Sequence, residues 1–244
     1  MLATWPLINW PLPSLMKPYQ QIPIQDCGEA LLPIPLERFA VVSPHPYQSL
    51  SAPYGDRSPY FLREGVLNQL TRAQSMLQSK RPGWQLQIFD AYRPIGVQQF
   101  MVDYTFQQLA AREGLHPHSL TELERSRLLD QVLTFWAIPS QDAATPPPHS
   151  TGAAIDLALS DSHGTPVDMG SPIDEISPRS YPNHFANRPE TSAQSAHHHR
   201  RLLAEVMASA GFRQHPSEWW HFSIGDQLWA WQAGDGAIAR YGSV

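Results

Sequence analysis

Three short stretches of the sequence combine ionisable side chains at spacings that could carry out chemistry. They are Asp90 with Arg93, His149 with Asp156, and Glu218 with His221. The chain has one cysteine, Cys27, which excludes an internal disulfide and a cysteine-rich zinc module, so a metal would need His, Asp or Glu ligands. Two histidines and one carboxylate suit catalytic zinc and leave a fourth position open. A carboxylate outside the ligand set can then accept a proton, and Glu218 is the candidate.

Strands are expected to place these residues, because alternating apolar and polar side chains indicate a half-buried strand. The predicted strands span residues 84–89, 152–159 and 219–224. Side chains alternate between the faces of a strand, so His149 and Asp156 would point to opposite faces of one regular strand, as would Glu218 and His221. We therefore expect a turn at Thr151-Gly152, and we expect Glu218 to lie before its strand or on a bulge.

Helical spacing of apolar residues indicates the elements that flank these strands. The predicted helices span residues 63–80, 96–112, 119–136 and 199–210. Ser119 to Glu122 has the form of a capping box that would begin the third helix, with Leu123 on its apolar face, and Gly211 is placed to end the fourth. Residues 160–196 are expected to form a polar loop. Together these elements predict an α+β fold, with a central antiparallel or mixed sheet flanked by helices.

Composition and charge limit the classes of partner. The chain has 244 residues, 42% of them hydrophobic, and a formal net charge of -5 without a cluster of Lys and Arg. These values argue against nucleic acid or a membrane surface and favour a small substrate. No segment approaches 18 consecutive apolar residues, and the N-terminus is a poor signal peptide, so we expect a cytoplasmic protein with no membrane partner. Residues 1–45 are predicted to form a proline-rich arm packed on a domain of residues 46–244.

Each of these residues also has a purely structural explanation. A lone histidine on an apolar strand is more often a satisfied core group than a ligand, Asp156 could bond loop amides, and Arg93 could simply pair with Asp90. The triplet at residues 197–199, three adjacent histidines, suggests a metal motif. Adjacent residues on a helix point in different directions, however, so an exposed helix start is favoured over a second metal site.

The sequence resembles the D-alanyl-D-alanine dipeptidase family of zinc peptidases in four segments that occur in the family's order. They are Asp90-Ala-Tyr-Arg-Pro94, His149-Ser-Thr-Gly-Ala-Ala-Ile-Asp156, Asp168-Met-Gly-Ser-Pro-Ile-Asp174 and Glu218-Trp-Trp-His221. The resemblance covers roughly residues 45 to 230. It implies an α+β zinc peptidase domain with the metal over the central sheet.

The resemblance also implies a role for each site residue. One zinc ion per chain would be held by His149, Asp156 and His221. Glu218 would be the general base, Arg93 would stabilise the developing oxyanion, and Asp174 would pair with the free ammonium of a dipeptide. One or both rings of Trp219 and Trp220 are expected to fix the turn at Glu218 and to shield the site from bulk water.

The activity implied by the resemblance is hydrolysis of the D-alanyl-D-alanine dipeptide to free D-alanine, in cell-wall peptide turnover or recycling. Two alternatives stay open: a D,D-carboxypeptidase acting on longer peptidoglycan stem peptides, and a non-catalytic zinc-stabilised binding protein on the same fold. Retention of both Glu218 and Arg93 argues against the binding protein. The chain also departs from the family in carrying Pro147-Pro148, where family members have serines near the substrate. Hydrogen bonds from serine side chains are therefore absent at this point, and we expect substrate affinity or preference to differ.

Overall fold

A mixed five-stranded sheet forms the centre of the computed structural model, which describes residues 17–234 and 236–244. The strands are β1 (Leu31–Pro33), β2 (Ala40–Val41), β3 (Phe61–Arg63), β4 (Gln85–Asp90), β5 (Ala154–Ser160), β6 (Arg213–Gln214) and β7 (His221–Ser223). The sheet order is β2-β4-β5-β7-β6, in which β2 runs parallel to β4 and the other neighbours are antiparallel. Strands β1 and β3 form a separate antiparallel pair.

Helices cover both sides of this sheet. They are α1 (Pro46–Ser49), α2 (Glu64–Lys80), α3 (Ile95–Arg112), α4 (Glu122–Phe135), α5 (Thr191–Ser209) and α6 (Gln227–Ala233). Ile155, Leu157 and Leu159 of β5 enter one hydrophobic core together with residues of α2 and α5. Helices α3 and α4 form a second core that includes Tyr47 and Trp136. The predicted α+β class, with a mixed central sheet flanked by helices, is confirmed.

Two of the helix predictions were wrong in detail. Helix α4 begins at Glu122, and its capping box is formed by Thr121 and Glu124 instead of Ser119 and Glu122. Both four-residue segments fit the capping-box pattern, so the pattern alone does not choose between them. With the helix begun at the later one, Leu123 is 81% exposed instead of lying on the apolar face. Helix α5 begins at residue 191 instead of 199. Its first turns are mostly polar, so the apolar spacing that indicates a helix begins only later in the segment.

The histidine triplet at 197–199 consequently lies inside α5 instead of at its start. Among the described residues, the one group of ligand-type side chains close enough to hold a metal lies elsewhere, so the triplet forms no second metal cluster there.

Part of the predicted N-terminal arm, residues 1–16, lies outside the described residues. From Lys17 onward the chain forms a 3₁₀ turn at Pro18–Gln21, then β1, and then β2 at the edge of the central sheet. An isolated parallel bridge joins Ile24 to Ala239. The division of the chain at residue 45 stays a prediction. In the described part of the chain, no helix has both the length and the apolar character needed to cross a bilayer.

Candidate active site

Strand register brings three of the ionisable residues into one row. Asp90 at the end of β4 is paired with Asp156 of β5, which is paired with His221 of β7. Directly paired residues share a face of the sheet, and Asp156 lies on the face opposite Ile155 and Leu157. The row therefore lies on the face away from the core formed by α2 and α5.

A β-bulge puts Asp90 in this row. Ile88 pairs with Leu157, so regular pairing would place Asp90 opposite Ile155 on the core face. The register shifts by one residue between Ile88 and Asp90, so Asp90 meets Asp156 instead. The buried carboxylate is thereby turned to the polar side.

His149 reaches the row from a tight turn before β5. Residues Pro148–Thr151 form a 3₁₀ turn that ends at Gly152, whose φ is 70°, in the left-handed region. The left-handed backbone favours glycine here, and a Cβ would in addition displace the end of the Leu31 side chain, whose Cδ1 would lie 2.4 Å away. The predicted turn at Thr151-Gly152 is confirmed.

Three buried side chains converge at this point. The distances are 3.1 Å from His149 Nε2 to His221 Nδ1, 3.0 Å from His221 Nδ1 to Asp156 Oδ1, and 3.2 Å from His149 Nε2 to Asp156 Oδ2. His149 Nδ1 lies 2.6 Å from the carbonyl oxygen of Ala91, so Nδ1 carries the proton and Nε2 presents its lone pair.

The donor set fits a zinc ion. Two N or O ligands at roughly 2.0–2.1 Å from a tetrahedral zinc lie about 3.3 Å apart, close to the distances between these three side chains. The His149 lone pair and the Asp156 carboxylate are both acceptors that face each other, an arrangement that a cation stabilises. The buried Nε2 of His221, which points away from the cluster contacts made by Nδ1, has no hydrogen-bond partner among the described residues. The cluster could thus hold a metal ion.

Glu218 lies in the turn before β7, as expected, and borders the cluster without joining it. Its Oε2 is 3.9 Å from His221 Nδ1, and its Oε1 is 3.4 Å from His215 Nδ1. Burial raises the pKa of Glu218 well above the usual value, and the charges of Asp156 and Asp174 act in the same direction. A carboxyl group with a raised pKa is suited to accept a proton near neutral pH.

The two tryptophans beside Glu218 contact different parts of the protein. Trp219 Nε1 donates to Ser171 Oγ at 3.0 Å, and the Arg200 guanidinium lies 5.1 Å from a Trp219 ring centroid. Trp220 lines the pocket that contains the cluster. The Trp219 backbone N–H donates to Ser180 at 3.0 Å, which fixes the turn.

Arg93 is held by four acceptors around its guanidinium. Nε donates to Asp90 at 2.9 Å, Nη1 to Gln98 at 2.9 Å, and Nη2 to both Tyr47 and Asp156 at 3.1 Å. Burial disfavours its charge, but its acidic neighbours keep the pKa of Arg93 well above the usual value. Arg93 therefore both pairs with Asp90 and borders the pocket.

Asp174 borders the same pocket from the loop after β5. Its Oδ2 accepts a hydrogen bond from the Tyr47 hydroxyl at 2.8 Å. Its φ of 64° is unusual for a residue other than glycine and is typical of functional positions. Burial, with a further contribution from Asp156, raises the pKa of Asp174 to about 7.

Sequence reasoning missed several residues that the structure brings to this pocket. They are Lys17, Tyr19, Gln98 and His215. His215 stands three residues before Glu218, a spacing that could have drawn attention to it. Lys17 and Tyr19 lie in the proline-rich segment, where no periodicity indicates a direction for any side chain.

A buried His-Asp-His cluster beside an unliganded glutamate, on a mixed sheet, defines the site of a metallopeptidase. Residues 41–237 match the model of a peptidase M15 family described as D-ala-D-ala dipeptidase. The chain is 50% identical over 240 residues to the D-alanyl-D-alanine dipeptidase of Synechocystis sp., with 94% of this chain and 97% of that protein covered. The Escherichia coli protein of that name is 32% identical over 167 residues, with 67% and 66% covered. The chain therefore belongs to this family of zinc metallopeptidases.

Proposed function

We propose that the chain hydrolyses the D-alanyl-D-alanine dipeptide to free D-alanine, with one zinc ion held by His149, Asp156 and His221. The observation that carries this proposal is that the cluster, the nearby Glu218 and Asp174 all line one pocket. When bound, zinc supplies a Lewis acid that activates water and polarises the scissile carbonyl. Membership of the dipeptidase family supports the choice of substrate.

Two side chains of the protein carry the proton and the developing charge. Glu218 accepts a proton from the attacking water and passes it to the departing amine, a role for which its burial and raised pKa are suited. Arg93 stands beside the carbonyl and offers a fixed cation to the oxyanion. Because Asp90 and its other partners hold the guanidinium in place, little reorganisation is needed when charge develops.

Asp174 distinguishes a dipeptidase from the carboxypeptidase alternative. Its carboxylate would pair with the free ammonium of a dipeptide, a group that a longer stem peptide lacks at this position. The Tyr47 hydroxyl orients the carboxylate, and burial strengthens such a pair. An N-acylated dipeptide would leave this buried carboxylate without its partner.

The test compares zinc content and hydrolysis in the wild type and in Glu218→Gln. We expect the variant to keep its zinc and to lose at least about a hundredfold in turnover, the scale of a general base. Loss of zinc with the fold intact would make Glu218 a ligand instead. N-acetyl-D-Ala-D-Ala serves as the second substrate, and cleavage as fast as that of the free dipeptide would favour the carboxypeptidase.

The proposed cellular role is cell-wall peptide turnover or recycling, in the cytoplasm. The chemistry of the substrate supports the role, because D-alanyl-D-alanine is a component of peptidoglycan precursors. Deletion of the gene is expected to raise the intracellular level of the dipeptide, and cell fractionation tests the location. Unchanged dipeptide levels, or activity confined to the cell exterior, would contradict this assignment.

A further inference from the structure

Lys17 brings a positive charge to the pocket from outside the sheet. Its side chain lines the cavity together with His149, Glu218 and Asp174. Nζ donates a hydrogen bond to the carbonyl oxygen of Leu133 at 2.7 Å. This is its one acceptor among the described residues, and no carboxylate there lies within ion-pair distance of it. Two of the three N–H donors of the ammonium group are consequently free for a ligand.

The segment after Lys17 is anchored to the body of the protein. Residues Pro18–Gln21 form a 3₁₀ turn, and Gln227 Nε2 of α6 donates to the carbonyl oxygens of Gln20 at 3.2 Å and Ile22 at 2.7 Å. Tyr19 is buried and borders the same pocket. The lysine is therefore carried by a docked segment, which limits the entropy lost when a ligand engages it.

The other cation of the pocket is already committed. Arg93 donates to Asp90, Gln98, Tyr47 and Asp156, which leaves one N–H of its five. Its charge is balanced by the two aspartates.

The turn next to the cluster supplies no other hydrogen-bond donor for an anionic group. Pro148 borders the pocket beside His149, and a proline has neither a backbone N–H nor a polar side chain to donate. Among the described residues that line the pocket, Lys17 is the cation with the more free donors, two against one for Arg93.

A dipeptide has two charged ends, and for each of them the described residues of the pocket include a group of opposite charge, Lys17 or Asp174, that has no ion pair among those residues. We propose that Lys17 binds the C-terminal carboxylate of the dipeptide, while Asp174 binds its ammonium. This inference rests on the proposed function and adds the recognition of the second end. Contacts at both ends then make the site selective for substrate length. Peptides that are amidated or extended at the C-terminus would lack the carboxylate that Lys17 binds.

The charges of the pocket agree with this assignment. Burial lowers the pKa of Lys17, whereas the charge of Glu218 raises it. A carboxylate brought by the substrate would stabilise the ammonium at the point where the protein supplies no direct ion pair. A charge-assisted hydrogen bond forms best in such a partly desolvated place.

The kinetic test uses Lys17→Met, which keeps the length of the side chain and removes its charge. We expect KM for D-Ala-D-Ala to rise roughly 10- to 100-fold with little change in kcat, as for a lost hydrogen bond to a charged group in the ground state. Hydrolysis of the C-terminally amidated dipeptide should be equally slow in wild type and variant. The chain has one other lysine, Lys80, which forms an exposed ion pair with Glu205, and Lys80→Met is the matched control.

A binding measurement separates this contact from catalysis. Two lysines allow simple assignment of NMR signals from protein labelled with ¹³C at lysine Cε. In zinc-loaded Glu218→Gln, we expect D-Ala-D-Ala to shift the Lys17 signal saturably and to leave Lys80 unchanged. An unmoved Lys17 signal at saturation, or equal losses on the free and amidated dipeptides in Lys17→Met, would overturn the inference alone. A wild type that neither binds nor cleaves D-Ala-D-Ala would overturn the proposed function as well.

Discussion

The pocket has two halves that are built differently. The catalytic half consists of the cluster residues with Glu218 and Arg93, and it lies on β5 and β7 and on the turns next to the central strands. The recognition half consists of Lys17, Tyr47 and Asp174, which lie on the N-terminal segment, on α1 and on the loop after β5. Strand register fixes the first half, whereas single hydrogen bonds and a docked segment position the second.

This difference suggests that the recognition half tolerates sequence change better than the catalytic half. Strand pairing fixes the separation of Asp156 and His221, two of the three proposed metal ligands, and catalysis requires such precision. Loops can vary without disturbing that register, so substrate preference can shift while the metal chemistry stays. The proposed contact from Lys17, on a segment far from Pro147-Pro148, would be an example of such a shift.

The largest expected effect comes from the catalytic half. His221→Ala removes one of the three proposed zinc ligands, and we expect loss of zinc together with several kcal/mol of transition-state stabilisation, or about a thousandfold or more in turnover. Zinc analysis and dipeptide hydrolysis measure both effects. His163→Ala changes an exposed histidine in the loop after β5 and should alter neither. Full activity in His221→Ala would refute the ligand assignment.

The catalytic half was also the more predictable half from sequence. Alternation over residues 152–159 placed Asp156 on the polar face, and the need for a turn identified Gly152 in advance. The bulge that turns Asp90 into the row left no pattern in the sequence, because it depends on the register with β5.

The recognition half was harder to predict. Asp174 was suggested by family resemblance, but neither its left-handed backbone nor its bond from Tyr47 follows from local spacing. Lys17 could not be predicted, since it reaches the pocket through a segment without periodicity. The positions of both side chains depend on contacts between residues that are far apart in the chain.

A smaller effect is expected in the recognition half. Asp174→Asn removes the proposed partner of the substrate ammonium, and KM for D-Ala-D-Ala should rise about 10- to 100-fold while zinc content is unchanged. The preference for the free over the N-acetylated dipeptide should disappear in the same variant. Asp56→Asn alters an exposed carboxylate and provides the control. If the preference survives in Asp174→Asn, another group binds the ammonium.

The pH dependence of binding should report Asp174 directly. Its pKa of about 7 means that the carboxylate is progressively lost as pH falls below 7, whereas a substrate amine loses its charge above about 8. Dipeptide affinity, measured by calorimetry on zinc-loaded Glu218→Gln, should therefore be highest between these values. The acidic limb should be absent when Asp174→Asn is added. An unchanged limb in the double variant would assign it to another group.

The same raised pKa has a consequence for stability. The folded carboxyl holds its proton to a higher pH than the unfolded one, so ionisation of Asp174 lowers the stability of the substrate-free protein as pH rises from about 4 to about 7. Asp174→Asn should remove this loss and raise the melting temperature above pH 7, but not at pH 4. A lower melting temperature at pH 8 would show that the carboxylate is stabilising instead.

The smallest effect on catalysis is expected at Trp219, which is next to Glu218 in the chain and whose ring contacts Ser171 and Arg200. Trp219→Phe removes the hydrogen bond to Ser171 but keeps an aromatic ring near Arg200. We expect a loss of about 1 to 2 kcal/mol in the free energy of unfolding, with zinc content and turnover within about twofold of the wild type. Denaturant titration and steady-state kinetics measure the two quantities. A tenfold loss of turnover with zinc retained would mean that the position of Glu218 depends on this ring, because the backbone bond to Ser180 would then be insufficient to hold the turn.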